Sequence, residues 1–322
     1  MLVEPRALRV ENIAPALQQY ADSCHLYMIG HRPMTCIDPG ATSVEGDVIS
    51  ARFISRVNSE EAIVECTWPH PGLKGGTRVD SPWPHNIVRV FDKDGRQVLR
   101  RNASVLLAQA VALLDSPSER LPVDIQFLDL EVEYVGKSFG KHGERSAFTR
   151  LQSHKTLQRM MAELPRDEEL WIVLLDSNTY TILTSMVPQG RRGDAADKED
   201  DARIENMFDS PLGDAAITDI IEGSLIKYFQ PRYNVQLKES FPDRRAKPLA
   251  EVYARDLNLI GFELDTWDLS LRLGSPVAPF SFEHSATYPL HSEDERKSML
   301  DFVDDIEAMR ERRETVASPD GE

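Results

Sequence analysis

The sequence predicts an α+β chain in two main parts, and three observations carry that prediction. At 322 residues with 41% hydrophobic content, the chain exceeds what a single core of roughly 250–300 residues usually holds. Alternating apolar patterns and turn signals concentrate between Gly46 and Arg100. Helical runs and apolar strands follow from Leu121 onward, without internal repeats. The expected divisions are 1–118, a β-rich module with lead-in and connector helices; 119–240, a sheet flanked by helices with an acidic insert near 188–214; and 241–322, extra strands and an acidic helix.

Each element has a local reason. Ile13, Leu17 and Tyr20 stand at helical spacing, so residues 11–30 read as an amphipathic lead-in helix that gives way to a Gly/Pro-broken stretch ending at Pro39. Val48-Ile-Ser-Ala-Arg-Phe-Ile and Ala62-Ile-Val-Glu-Cys-Thr-Trp flank a polar turn at Asn58. Asn86-Ile-Val-Arg-Val-Phe meets Gln97-Val-Leu-Arg across Asp92-Lys-Asp-Gly, a hairpin signal. Together these predict a small antiparallel sheet or barrel. Asn102 is a candidate cap for an apolar helix over 103–114.

Further on, the pattern predicts a β stretch ending near Val135, a Gly-containing loop at 140–143 and a helix over 147–164. The strands Trp171-Ile-Val-Leu-Leu and Tyr180-Thr-Ile-Leu should follow. The segment Asp-Ala-Ala-Asp-Lys-Glu-Asp-Asp within 188–214 is too polar to pack. A helix over 215–229 stops at Pro231, two or three strands fit 249–273, and Met299, Phe302, Ile306 and Met309 mark one face of a terminal helix.

Composition excludes several classes. A formal charge of −16 opposes broad electrostatic affinity for nucleic acid, so any contact with DNA or RNA must be local. Cys24, Cys36 and Cys66 form no C-x-x-C pair, which argues against a disulfide framework or a zinc ribbon and for a cytoplasmic setting. No apolar run reaches the ~20 residues of a membrane span or the form of a signal peptide.

Three stretches carry residues suited to phosphodiester chemistry. In Tyr134-Val-Gly-Lys-Ser, Gly136 turns the chain after a strand end and leaves a phenol beside Lys137 and Ser138. In Arg150-Leu-Gln-Ser-His, Arg150 and His154 would share one helix face at i and i+4, where a guanidinium can hold a phosphate and an imidazole can orient or protonate an oxygen. In the helix before Pro231, Glu222 borders the apolar stripe of Ile217, Ile221, Leu225 and Tyr228, a position from which a carboxylate can hold a hard cation. Asn234 follows in Pro-Arg-Tyr-Asn, where its amide suits a structural role against the local backbone. Each stretch alone also describes an ordinary strand tyrosine, a solvated helix face or a surface glutamate.

Taken in order, Tyr-Val-Gly-Lys-Ser, Arg-Leu-x-x-His, Glu-x-x-Leu-Ile and Pro-x-Tyr-Asn resemble the second half of the GIY-YIG nuclease signature, over roughly residues 121–238. The resemblance implies a small sheet flanked by helices and a metal-dependent endonuclease, a hydrolase of phosphodiesters in DNA or RNA. It implies Glu222 as ligand of Mg²⁺ or Mn²⁺, Arg150 on the scissile phosphate, Tyr134 positioning or activating water with His154 assisting, Lys137 and Ser138 near substrate, and Gly136 and Asn234 as structural positions. The alternative in the same family is a catalytically silent module for nucleic-acid binding or protein assembly, with the N-terminal β module, and its Trp68 and Trp83, as a surface for a protein partner. One departure stands out. The family's first half-signature should lie about one hairpin before Tyr134, where the chain reads Leu121-Pro-Val-Asp-Ile-Gln-Phe-Leu-Asp-Leu and offers only the ring of Phe127, without a hydroxyl.

Overall fold

A computed structural model describes residues 1–5, 8, 19, 21–57, 60–73, 75–113, 125–138, 150–176, 212–246, 249–254, 257 and 259–290. The strands are β1 (Leu2–Val3), β2 (Leu26–Pro33), β3 (Thr35–Ile37), β4 (Ser43–Glu45), β5 (Val48–Val57), β6 (Glu60–Pro69), β7 (Gly76–Asp80), β8 (Ile87–Asp92) and β9 (Gln97–Asn102). Helix α1 (Ala103–Ala112) precedes β10 (Asp129–Lys137), α2 (Lys155–Glu163), β11 (Glu168–Leu175), α3 (Asp214–Phe229), α4 (Ala250–Ala254), β12 (Leu259–Asp265), β13 (Arg272–Gly274) and β14 (Glu283–Pro289). The architecture is mixed α+β. Among the described residues no helix is long and apolar enough to cross a membrane.

The central sheet has the order β1-β11-β2-β10-β13, with β2 antiparallel to both β11 and β10. It draws β1 and β2 from before residue 118 and β10, β11 and β13 from after it, so the expected boundary at 118 does not separate them. The sheet is covered on both faces. Tyr27, Ile29, Ile172 and Leu174 pack against Leu157 and Met160 of α2, while Met28, Val135, Trp171 and Val173 pack against Leu225, Ile226 and Phe229 of α3.

Burial on both faces explains a misreading of β2. The lead-in helix expected over 11–30 is replaced at its end by strand: residues 21–23 are helical, Leu26–Pro33 is extended, and 9–18 and 20 lie outside the described residues. A strand buried on both faces shows no polar alternation and imitates a buried helix segment.

Between the paired strands β2 and β10 the chain makes a second body. Strands β3 to β6 form one antiparallel sheet and β7 to β9 another, closed by α1 around Phe53, Val88, Leu99 and Leu106. Asn102 Oδ1 caps α1 by accepting from Ser104 N–H at 2.7 Å. Trp68, expected at the surface, is buried against Phe53 because β6 alternates and turns Val64 and Trp68 inward; Trp83 is 86% exposed. In the third region, 250–254 is helical where strand was expected, and β12 pairs β14. The expected strand at 180–183, most of the acidic insert, the loop at 140–143 and the terminal helix lie outside the described residues.

Candidate active site

The site begins with a pairing. In the antiparallel ladder of β2 and β10, Tyr27 stands opposite Gly136 and Ile29 opposite Tyr134, so the two phenols share one face of the sheet on adjacent strands. Their ring centroids are 6.0 Å apart, and the His154 ring meets both, at 5.7 Å from Tyr27 and 5.1 Å from Tyr134. A Cβ on Gly136 would lie 2.7 Å from Tyr27 Oη and Cζ and 2.7 Å from Tyr134 Cε1. Only glycine leaves room for this convergence.

Burial, and then the neighbouring phenol, push the Tyr27 hydroxyl well above its ordinary range. Tyr134 is raised chiefly by burial as well; Arg150 opposes that shift and Glu222 adds to it. Both tyrosines therefore sense the same arginine and the same glutamate. Phe127 has no part here, being packed in the core of the inserted body. The second hydroxyl comes from Tyr27, whose strand is separated from β10 in sequence by that entire body.

Arg150 and His154 do not lie on one continuous helix. Arg150 and Leu151 end a helical turn, His154 is extended (φ −79°, ψ 110°), and α2 starts after it with His154 as its cap. His154 Nδ1 accepts from Leu157 N–H at 3.1 Å, which assigns the proton of the neutral ring to Nε2. Burial, followed by the Arg150 charge, holds its pKa below 6.5. Arg150 instead folds back, and its Nη1 donates to the Lys137 carbonyl at 2.5 Å.

Glu222 projects from α3 toward the end of β10, where Lys137 Nζ lies 2.8 Å from its Oε2 and also pairs with Asp219. Burial raises the Glu222 pKa; Lys137 and Arg150 pull against the shift, and Asp219 reinforces it. For Lys137, burial favours the neutral amine, but Glu222 and Asp219 outweigh it and raise the pKa. The ammonium is thus a resident cation between two carboxylates. Asp219 precedes Glu222 by one helical turn, and that i, i+3 spacing was its only sequence signal.

Ser138 is buried, and its N–H donates to the His25 carbonyl at 2.7 Å, so it closes the β10 end rather than facing solvent. Asn234 engages Val135 twice: Oδ1 accepts from its N–H at 2.9 Å and Nδ2 donates to its carbonyl at 2.8 Å. The amide completes the outer edge of β10 next to the phenols. Comparison with protein-family models, with curated proteins and with solved structures gives no match.

Proposed function

We propose that the chain is a divalent-metal-dependent nuclease of GIY-YIG type that hydrolyses a phosphodiester in DNA or RNA. The observation that carries this reading is the meeting of Tyr27 and Tyr134 across Gly136, with Arg150 and Glu222 close enough to perturb both phenols. Under this reading the segment His25-Leu-Tyr27, which leads into β2, stands for the first half-signature, and 34–128 is an insertion between the two halves.

The residues have a consistent division of labour. The guanidinium of Arg150 offers further N–H donors beyond the one on Lys137 O and steadies the scissile phosphate. Tyr27 and Tyr134, desolvated and high in pKa, remain protonated at neutral pH and orient the attacking water by hydrogen bonding. Neutral His154, its Nδ1 engaged with Leu157 N–H, holds both rings, edge-on to Tyr27 and tilted against Tyr134. Glu222, with Asp219 beside it, fits Mg²⁺ or Mn²⁺: both offer hard oxygen donors, and the ammonium of Lys137 already stands between them as a cation. Such an ion supplies neutralisation of the charge that builds on the phosphate oxygens. Lys137, released from Glu222, is then placed for a phosphate oxygen.

The same Lys137 pairing, with the charge of −16, favours a second reading, a silent module in which the ammonium permanently replaces the metal. Incubation with supercoiled DNA, single-stranded DNA and RNA in Mg²⁺ or Mn²⁺ separates the two. Cleavage that falls by ~10²–10⁴ in Tyr27→Phe and Tyr134→Phe, and disappears in Glu222→Gln, supports the nuclease. A folded wild-type protein that cuts none of these substrates rules it out.

A further inference from the structure

Alternation along β2 puts His31 on the face that carries Tyr27 and Ile29, two residues beyond Ile29 and toward the opposite end of the sheet. There it stands opposite Glu131, and a register shift between Val132 and Tyr134 inserts Glu133 beside it. A bulge of this kind re-aims one side chain at the expense of regular pairing. The backbone is shaped around it, since a Cβ on Gly30 would lie 2.4 Å from the Glu131 carbonyl oxygen. The ligand atoms of His31, Glu131 and Glu133 all lie within 4.8 Å of one another.

Two further observations point to a ligand. Glu133 is only 7% exposed, and its Oε2 is buried without a hydrogen-bond partner among the described residues. A buried carboxylate oxygen left unsatisfied is costly, more so than for a neutral group. The ring of His31 is held from behind: Nδ1 lies 2.7 Å from Glu168 Oε2, and Nε2 lies 3.1 Å from Glu133 Oε1. A carboxylate on one imidazole nitrogen fixes the tautomer and aims the other nitrogen's lone pair, the arrangement found behind metal-bound histidines.

We propose that His31 Nε2 and one oxygen each of Glu131 and Glu133 bind a divalent transition-metal ion, with Glu168 as the orienting partner of His31. One nitrogen with carboxylate oxygens suits Zn²⁺, Co²⁺ or Mn²⁺ better than Mg²⁺, which takes oxygen and water. Three protein ligands leave at least one coordination position open. The site lies ~13 Å from Tyr27 along β2, four strand residues away, and is separate from Glu222.

The test is calorimetric titration of the chelator-treated full chain with Zn²⁺ and with Mg²⁺. The wild type and Glu222→Gln should each bind one equivalent of Zn²⁺ here. Affinity should fall about 10–100-fold in Glu168→Gln and binding should vanish in His31→Gln, while Mg²⁺ fails to compete. Zn²⁺ binding that is absent from the wild type, unchanged in His31→Gln or lost in Glu222→Gln overturns the proposal. Should His31→Gln not fold, side-chain ¹⁵N spectra of the wild type decide: Zn²⁺ must shift His31 Nε2, and an unmoved resonance overturns the site. Either result leaves the cleavage reading standing, because that reading rests on other residues.

Discussion

Removing the buried Glu169 carboxylate should strongly destabilise the protein. Glu169 on β11 accepts from Arg32 Nε at 3.0 Å, from Asn102 Nδ2 at 3.2 Å and from Ser104 Oγ. Arg32 is fully buried, with its guanidinium 4.7 Å from the Trp171 ring centroid. In Glu169→Ala the arginine charge stays inside without its partner, and two donors at the start of α1 lose their acceptor. Breaking a buried pair costs about 3–5 kcal/mol, and the two lost bonds favour the upper end. With a urea m-value of ~3 kcal/mol/M, the midpoint should fall by roughly 1–1.7 M. Urea unfolding of the double variant Arg32→Met/Glu169→Leu gives the decisive contrast, since replacing both charges with apolar groups is often neutral or better. It should recover most of the loss, less the share of Asn102 and Ser104. A cost below about 1 kcal/mol for Glu169→Ala, or a double variant weaker than the single one, would refute the reasoning.

Three other outcomes follow from the site. Gly136→Ala drives a methyl into Tyr27 and Tyr134 at 2.7 Å and should cost ~1–3 kcal/mol as overpacking, with changed near-ultraviolet circular dichroism from the displaced phenols. Asn234→Asp keeps the bond from Val135 N–H but sets a carboxylate oxygen against the Val135 carbonyl; a loss of ~1–3 kcal/mol and faster amide exchange at Val135 are expected. His154 supplies a pH test. Its folded pKa lies below 6.5 through burial and Arg150, so as pH falls below 6.5 the unfolded state takes up its proton first and stability is lost. His154→Asn still caps α2 but cannot titrate, so it should lose less stability than the wild type between pH 7.5 and pH 5.5 in urea titrations. His284, lowered by burial, has the same sign, and His31, raised by its carboxylates, has the opposite one. Both persist in the variant, so the difference between the two slopes isolates His154.

Local chemistry made much of this structure legible. Asn102 read as a cap and caps α1; Asp92-Lys-Asp-Gly read as a turn, and Asp92 Oδ1 accepts from Asp94 N–H and Arg96 N–H at 2.9 Å each between β8 and β9. Pro231 read as a stop, and α3 ends before it with Gln230 in the left-handed region. What escaped were particular relations that cross the chain. Histidine is not among the preferred capping residues, so Arg150-Leu-Gln-Ser-His154 looked like one helix. The Lys137 to Glu222 pair joins a strand to a helix far along the sequence, and nothing in either motif specifies the other. Tyr27 lies far upstream of the single hairpin in which the first half-signature is expected, because consecutive strands are usually neighbours.

That preference is a statement about frequency, and the energetics permit the exception. Closure entropy grows only as the logarithm of loop length, about 0.6 kcal/mol for each doubling. Lengthening a hairpin turn to the span of 34–128 therefore costs only a few kcal/mol even for a flexible chain. This insertion is not flexible throughout: it has its own core around Phe53, Val88 and Leu106. Its entry strand β3 begins at Thr35, directly after β2, and residues 125–128 lead straight into β10, so the body leaves the sheet near where it returns. The Glu169 network then ties α1 back to β11 and, through Arg32, to β2. A sheet built this way can keep Tyr27 and Tyr134 in register across Gly136 with a folded body between them, and the separation of the two tyrosines in sequence carries no argument against their acting together.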